Sequence, residues 1–263
     1  MDIDNFEEYD DPNLYDKENE AYIPELPFLL KWASKQKGII IDLACGTGRL
    51  TIPVAKNGFK LVGVDIHKGM LDEAVNKSSN LGLDIDWVEQ DCTNLSLNLK
   101  SQLIYSVGNS FQHFLSNEVQ DRFLSSVNKH LENNGIFIFG TRFPSVDELL
   151  QPSTEEYWRT YTDHESLNSV DVYTISTYDS LSQIQHYTTV RKYKNSNGEL
   201  VSEKKTNIRL RYVFPKEMER TLDSNGFEIV NIYRDWNETL LANENNEMIY
   251  VCKKVKDIRN SSV

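Results

Sequence analysis

Residues 38–50 hold an acid, a strand-type run and two glycines in an order that makes a ligand pocket. Ile39, Ile40 and Ile41 are consecutive β-branched residues of the kind that fill a strand buried on both faces. Asp42 stands at the end of that run, and Leu-Ala44-Cys-Gly46-Thr-Gly48 then turns the chain into a helical pattern that begins at Arg49 and Leu50. Glycines let a ligand approach the backbone, and the helix end beyond them offers unpaired N–H groups. A dinucleotide site would place a third glycine where Thr51 stands, and a P-loop would continue with Gly-Lys-Ser/Thr; neither is present. An acid at position 42 opposes a pyrophosphate and suits a ligand with a cationic amino group.

The elements that must position these residues follow in alternation. Residues 23–36, with Leu26, Leu29, Leu30 and Ala33 on one side, read as a helix packing on a sheet. The helix over 47–57 stops at Asn57-Gly58, and Lys60 to Val64 is a second buried strand with Asp65 at its carboxyl end. Asp65 lies 17 residues beyond Gly48, about the offset at which an acid in such sheets accepts ribose hydroxyls; an N-cap for the helix near Lys68 is the competing reading. Residues 84–88 form a third strand that leads to Asp91 and Cys92, where Asp91 reads either as a ligand contact or as a turn residue. The fourth strand, 101–107, runs into Gly108-Asn109-Ser110-Phe111-Gln112-His113-Phe114, which faces the crevice beside the first strand. There Asn109 can orient an amine or carboxylate, and His113 either accepts a proton or packs beneath the next helix.

An amphipathic helix at 118–131 and a fifth buried strand at 136–139 lead to Arg142, placed either at the pocket or in a surface ion pair. Beyond a short helix at 145–151 the alternation ends. Residues 153–167 mix aromatics with Glu155, Glu156, Asp163 and Glu165, and three β-type runs follow at 170–178, 182–193 and 206–214, the last two joined by a turn at Asn195–Gly198. Pro215 opens a helix, and 227–233 and 248–252 are two final strands. The predicted class is α/β: a doubly wound, mostly parallel, seven-stranded Rossmann-like sheet with a small appended antiparallel sheet.

At Asp42 to Gly48 the sequence resembles the class I S-adenosylmethionine-dependent methyltransferases, whose first motif has this form. The resemblance implies S-adenosylmethionine as cofactor, with Asp42, Ala44, Gly46, Gly48, Asp65 and Gly108 around it, Ile66 and Met70 flanking the adenine, and Asp91 and Cys92 at the adenine edge. The Gly-Asn-Ser-Phe-x-His segment is similar to that of glycine N-methyltransferase, whose carboxylate-holding arginine Arg142 resembles; the Asn/Asp-Pro-Pro-Tyr type of DNA and protein methyltransferases is absent. In the resembling amine methyltransferases an N-terminal segment closes over the site, which makes Tyr15 the candidate ring beside the transferred methyl and Tyr22 a substrate contact. The same features resemble amino-sugar N,N-dimethyltransferases and the peptide methyltransferases of plantazolicin type, for which Asp163 and Glu165 would hold an N-terminal arginine. The implied organisation is a lid and helix over 1–37, a cofactor domain over 38–150 and 214–254, and an antiparallel insert over 151–213 covering the active site. The implied reaction is methyl transfer to an amine of a small molecule or short peptide, with Tyr15 and His113 nearest the chemistry. Transfer to a small acid, and a silent S-adenosylmethionine-binding regulator, remain as alternatives.

The chain has 263 residues, 39% of them hydrophobic, and a formal charge of −12. That content supports a core, and the charge, with no basic stripe, argues against a nucleic-acid partner. No apolar run reaches the ~20 residues of a membrane span, and the acidic start has no apolar leader. Cys45, Cys92 and Cys252 are widely spaced in apolar surroundings, as reduced thiols of a cytoplasmic protein without a metal site would be. The exposed edge of the small sheet is a candidate homodimer contact.

Overall fold

The computed structural model describes residues 5–163, 166–242 and 245–258. The chain starts with α1 (Pro12–Asn19), whose first turn is capped by the Asp11 carboxylate accepting from the Leu14 amide at 3.1 Å, and α2 (Leu26–Ala33). Then come β1 (Ile39–Leu43), α3 (Thr51–Lys56), β2 (Lys60–Asp65), α4 (Lys68–Asn80), β3 (Asp86–Glu89), β4 (Ser101–Ser106), α5 (Asn117–His130), β5 (Leu131–Arg142) and α6 (Val146–Leu149). Four strands follow, β6 (Glu156–Thr162), β7 (Ser169–Asp179), β8 (Ile184–Lys194) and β9 (Leu200–Arg211), and the chain closes with α7 (Pro215–Ser224), β10 (Phe227–Tyr233) and β11 (Glu247–Lys254).

The larger sheet has seven strands in the order β10-β11-β5-β4-β1-β2-β3. β1 to β5 are mutually parallel, and β11 pairs antiparallel with both β5 and β10. Strand order reverses at β1, which lies between β2 and β4, so a crevice opens outside the carboxyl ends of β1 and β4. Residues of α2 and α3 pack on one face with Ile40, Leu103 and Ile138, and residues of α5 and α7 on the other with Ile41, Ile104 and Phe137. The second face is aromatic: Phe114 stacks on Phe123 at 4.3 Å between centroids, and Phe139 lies between Phe137 and Tyr250.

The smaller sheet is antiparallel with the order β6-β7-β8-β9. It has four strands where the sequence predicted three. β6 lies in the 153–167 stretch, at the sheet edge, with its register broken between Tyr157 and Arg159 and most of its side chains exposed, so no alternation of apolar residues marks it. β9 begins at Leu200, six residues before the predicted run, because its first half is exposed and polar.

Candidate active site

The crevice holds two cavities that share a wall. The first lies over the carboxyl ends of β1, β2 and β4. Asp42, Ala44, Gly46, Asp65, Ile66, Met70, Asp91, Cys92 and Gly108 all line it, as do Tyr15 and His113. The first loop reaches this shape through left-handed backbone at Ala44 (φ 56°), Gly46 (57°) and Gly48 (78°). Gly48 faces away: a β-carbon there would stand 2.7 Å from the Trp87 ring, so this glycine fits the loop against β3 and lies outside the cavity lining.

The Asp65 carboxylate accepts the Gly46 amide through Oδ2 and the His67 amide through Oδ1, both at 2.8 Å, which ties the ends of β1 and β2 together. Asp42 is fully buried, and burial raises its pKa to about 7 against a hydrogen bond from Thr51 Oγ1 at 2.6 Å. The Asp91 side chain accepts the Thr93 amide at 2.8 Å, capping a 3-10 turn at Cys92–Asn94.

The second cavity lies between the first and the smaller sheet. Tyr9, Tyr15, Gly108 and His113 belong to both. Asn109, left-handed at φ 60°, and Arg142 line the second. Arg142 Nη1 donates to Glu148 Oε1 at 2.9 Å and to the Tyr187 hydroxyl at 3.1 Å, while its Nη2 and Nε have no protein partner among the described residues. The same Glu148 oxygen accepts from the Tyr187 and Tyr212 hydroxyls, so this carboxylate is saturated on the side that faces the arginine.

Two predicted substrate contacts do not meet there. Tyr22 is 72% exposed and lines neither cavity; its carbonyl accepts from Arg49 at 2.6 Å and its amide donates to the Asn19 carbonyl at 3.1 Å. Asp163 lies outside both cavities beyond β6, where it pairs with Lys17 at 3.1 Å and accepts from Ser166. Glu165 lies outside the described residues.

The site also contains residues that sequence reasoning passed over. Arg49 lines the first cavity and is held by a two-pronged ion pair with Glu25, at 2.7 and 3.1 Å. Phe6 and Tyr9 come from the segment before α1. Arg191, 4% exposed on β8, donates through Nε and Nη2 to the two Glu18 oxygens at 2.7 and 2.9 Å and reaches Glu8 at 2.9 Å, tying α1 to the smaller sheet. Its signal was available: Tyr187, Thr189 and Arg191 alternate on one face of a strand, and an arginine at an inward position needs buried acids.

Residues 40–135 match the family model described as a methyltransferase domain. The chain is 25% identical to the putative methyltransferase YqeM of Bacillus subtilis (strain 168) over 85% of this chain and 87% of that one. It is 30% identical to a carboxy-S-adenosyl-L-methionine synthase of a Nitratiruptor species, over 44% of this chain and 48% of that one. It is 28% identical to the cypemycin N-terminal methyltransferase of Streptomyces sp, over 48% and 55%. With these last two, the chain spans about half the length of the relative. Among solved structures, the S-adenosylmethionine-dependent methyltransferase from Clostridium acetobutylicum ATCC 824 superposes with a TM-score of 0.75 at 23% identity, over 92% of this chain and 96% of that one. The amino pentose methyltransferase CalS10 from Micromonospora echinaspora, solved with S-adenosylmethionine bound, gives 0.69 at 12%, over 90% of this chain and 90% of that one. The methyltransferase-domain match thus covers residues 40–135, and the fold is like that of the solved S-adenosylmethionine-dependent methyltransferases.

The first cavity fits that cofactor. Gly108 has φ +67°, and a β-carbon built on it would meet only the end of Arg49, at 3.7 Å, so the backbone there is open to a ligand. The lining joins apolar Ile66, Met70 and Cys92 to the carboxylates Asp42, Asp65 and Asp91 and to two tyrosine rings, a set suited to a nucleoside that carries cationic groups.

Proposed function

We propose that the protein transfers a methyl group from S-adenosylmethionine to an amine of a small molecule or short peptide. The observation that carries this reading is the common wall: the two cavities meet at Tyr9, Tyr15, Gly108 and His113. In this reading Asp65 accepts the ribose hydroxyls, Ile66, Met70 and Cys92 enclose the adenine, Asp91 takes its edge, and Asp42 and Arg49 answer the amino and carboxylate ends. S-adenosylmethionine supplies an electrophilic methyl on a sulfonium. The rings of Tyr9 and Tyr15, 5.9 Å apart, offer π-faces to that cation. Burial raises the pKa of both hydroxyls, so both rings stay neutral at pH 7.

The chain's remaining task is to hold an uncharged nitrogen in line with the methyl, since positioning alone is worth several kcal/mol. The second cavity supports an acceptor with polar handles: Asn109 and the free edge of Arg142 face it, and its acids Glu8, Glu18 and Glu148 are already paired with arginines. Asp163, one of the two acids expected to hold an arginine-headed peptide, lies outside the cavity, so it lends that peptide no support. The similarity to an N-terminal methyltransferase supports a peptide α-amine in general. Arg142 favours one second reading, a small amino acid held by its carboxylate. The test is S-adenosylhomocysteine formation that depends on an added amine: glycine, an amino sugar, or a short peptide with a free N-terminus. Turnover that follows a hydroxyl or enol acceptor instead would contradict the reading.

A further inference from the structure

His113 is 6% exposed and both its ring nitrogens are engaged: Nδ1 lies 3.0 Å from Asn5 Nδ2, and Nε2 lies 3.0 Å from the Tyr9 hydroxyl. Which nitrogen carries the proton follows from Asn5. Its amide forms a two-point contact with the backbone of Arg209 on β9, Oδ1 accepting the Arg209 N–H at 2.6 Å and Nδ2 donating to the Arg209 carbonyl at 2.9 Å. A backbone N–H only donates and a carbonyl only accepts, so the amide cannot be turned over. Its second Nδ2 hydrogen then points at His113 Nδ1, which must be the bare, accepting nitrogen. The imidazole is neutral, burial lowering its pKa to about 4, and so its one hydrogen sits on Nε2 and is donated to Tyr9 Oη.

We propose that Asn5 is a positioning residue that fixes the Nε2–H tautomer of His113 and thereby orients the Tyr9 hydroxyl at the junction of the two cavities. This rests on the methyl-transfer reading for its consequence and not for its geometry. With Oη already accepting from His113, its other lone pair and its own hydrogen are left to the junction, where an acceptor N–H can be held so that the nitrogen lone pair faces the methyl. His113 has no bare nitrogen left for the acceptor's proton, so it acts through Tyr9, and the amine must arrive uncharged. The chain of contacts also makes the smaller sheet part of the device, since Arg209 lies on its edge strand and contributes the backbone groups that Asn5 reads.

Nitrogen NMR of the full chain labelled with 15N-histidine, at pH 7 with S-adenosylmethionine added, tests this directly. The expected spectrum shows His113 with a bare Nδ1 and a protonated Nε2. Asn5→Asp replaces a donor by an acceptor, so it should move the proton to Nδ1 or produce the imidazolium, while Tyr9→Phe should leave the tautomer as it is. A wild-type Nδ1–H form, an Asn5→Asp spectrum like wild type, or a tautomer that changes in Tyr9→Phe would each overturn the proposal. On any amine the protein methylates, Asn5→Asp should lower kcat about tenfold, the worth of one hydrogen bond, with KM within about twofold. If no amine is methylated, the methyl-transfer reading fails, and the spectra still decide the role of Asn5.

Discussion

Asp42 and His113 each hold, in the folded chain, the protonation state that water would not give them. Burial raises Asp42 from 3.8 to about 7, so between those values the native state keeps a proton that the unfolded chain has released, and stability falls as pH rises through the window. Burial lowers His113 from 6.5 to about 4, so over nearly the same interval the unfolded chain takes up a proton that the native state refuses, and stability falls as pH drops. At 1.36 kcal/mol per unit the two effects are about 4 and about 3 kcal/mol, opposite in sign, and largely offset each other. Asp42→Asn should therefore be more stable than wild type at pH 8, near wild type at pH 4, and newly sensitive to acid between pH 6.5 and 4. Urea unfolding at these values checks this; a parallel pH dependence in variant and wild type would contradict it. A cationic ligand beside Asp42 would also lower its pKa, so S-adenosylmethionine binding at pH 6.5 should release a proton, seen in calorimetry as a dependence of the heat on buffer ionisation.

At the scale of elements, the first loop and the N-terminal segment carry separable predictions. Gly48→Ala puts a methyl 2.7 Å from Trp87 at a left-handed position, and should cost about 2 to 4 kcal/mol by chemical denaturation while disturbing the β1 to α3 turn. Glu18→Ala leaves Arg191, 4% exposed, with Glu8 and Thr206 as its remaining partners among the described residues; losing a buried partner costs about 3 to 5 kcal/mol, more than an eight-residue helix holds on its own. We expect α1 to open locally, with proteolysis within residues 5–20 rising about tenfold and the rest of the chain staying folded; cleavage at the wild-type rate would contradict this.

These elements also show why some of the site could be read from sequence. Asp42, Asp65, Asp91 and Gly108 follow neighbouring strands of a parallel sheet, and the topology alone brings such loops to one crevice. Asn5 and Tyr9 escaped because their partners lie 104 to 204 positions away, and neither periodicity nor turn chemistry reports such pairs. For Asp163 the acidic neighbourhood suggested a guanidinium, and one cation that it meets is Lys17, 146 residues back.

At the scale of the whole molecule, a seven-stranded sheet supplies the crevice, and a four-stranded sheet, linked to it through the N-terminal segment, supplies the far wall of the second cavity. A ligand in that crevice should stabilise the fold by mass action, about 2.7 kcal/mol at a hundred times Kd. The most direct test of the account is mass spectrometry of reactions containing the protein, S-adenosylmethionine with a trideuterated methyl group, and glycine, amino sugars or short peptides. The account predicts one or more trideuteromethyl groups on the nitrogen of one acceptor, lost in Tyr9→Phe with S-adenosylmethionine still bound. Label found on oxygen or carbon, or no label on any acceptor while calorimetry shows the cofactor bound, would contradict it.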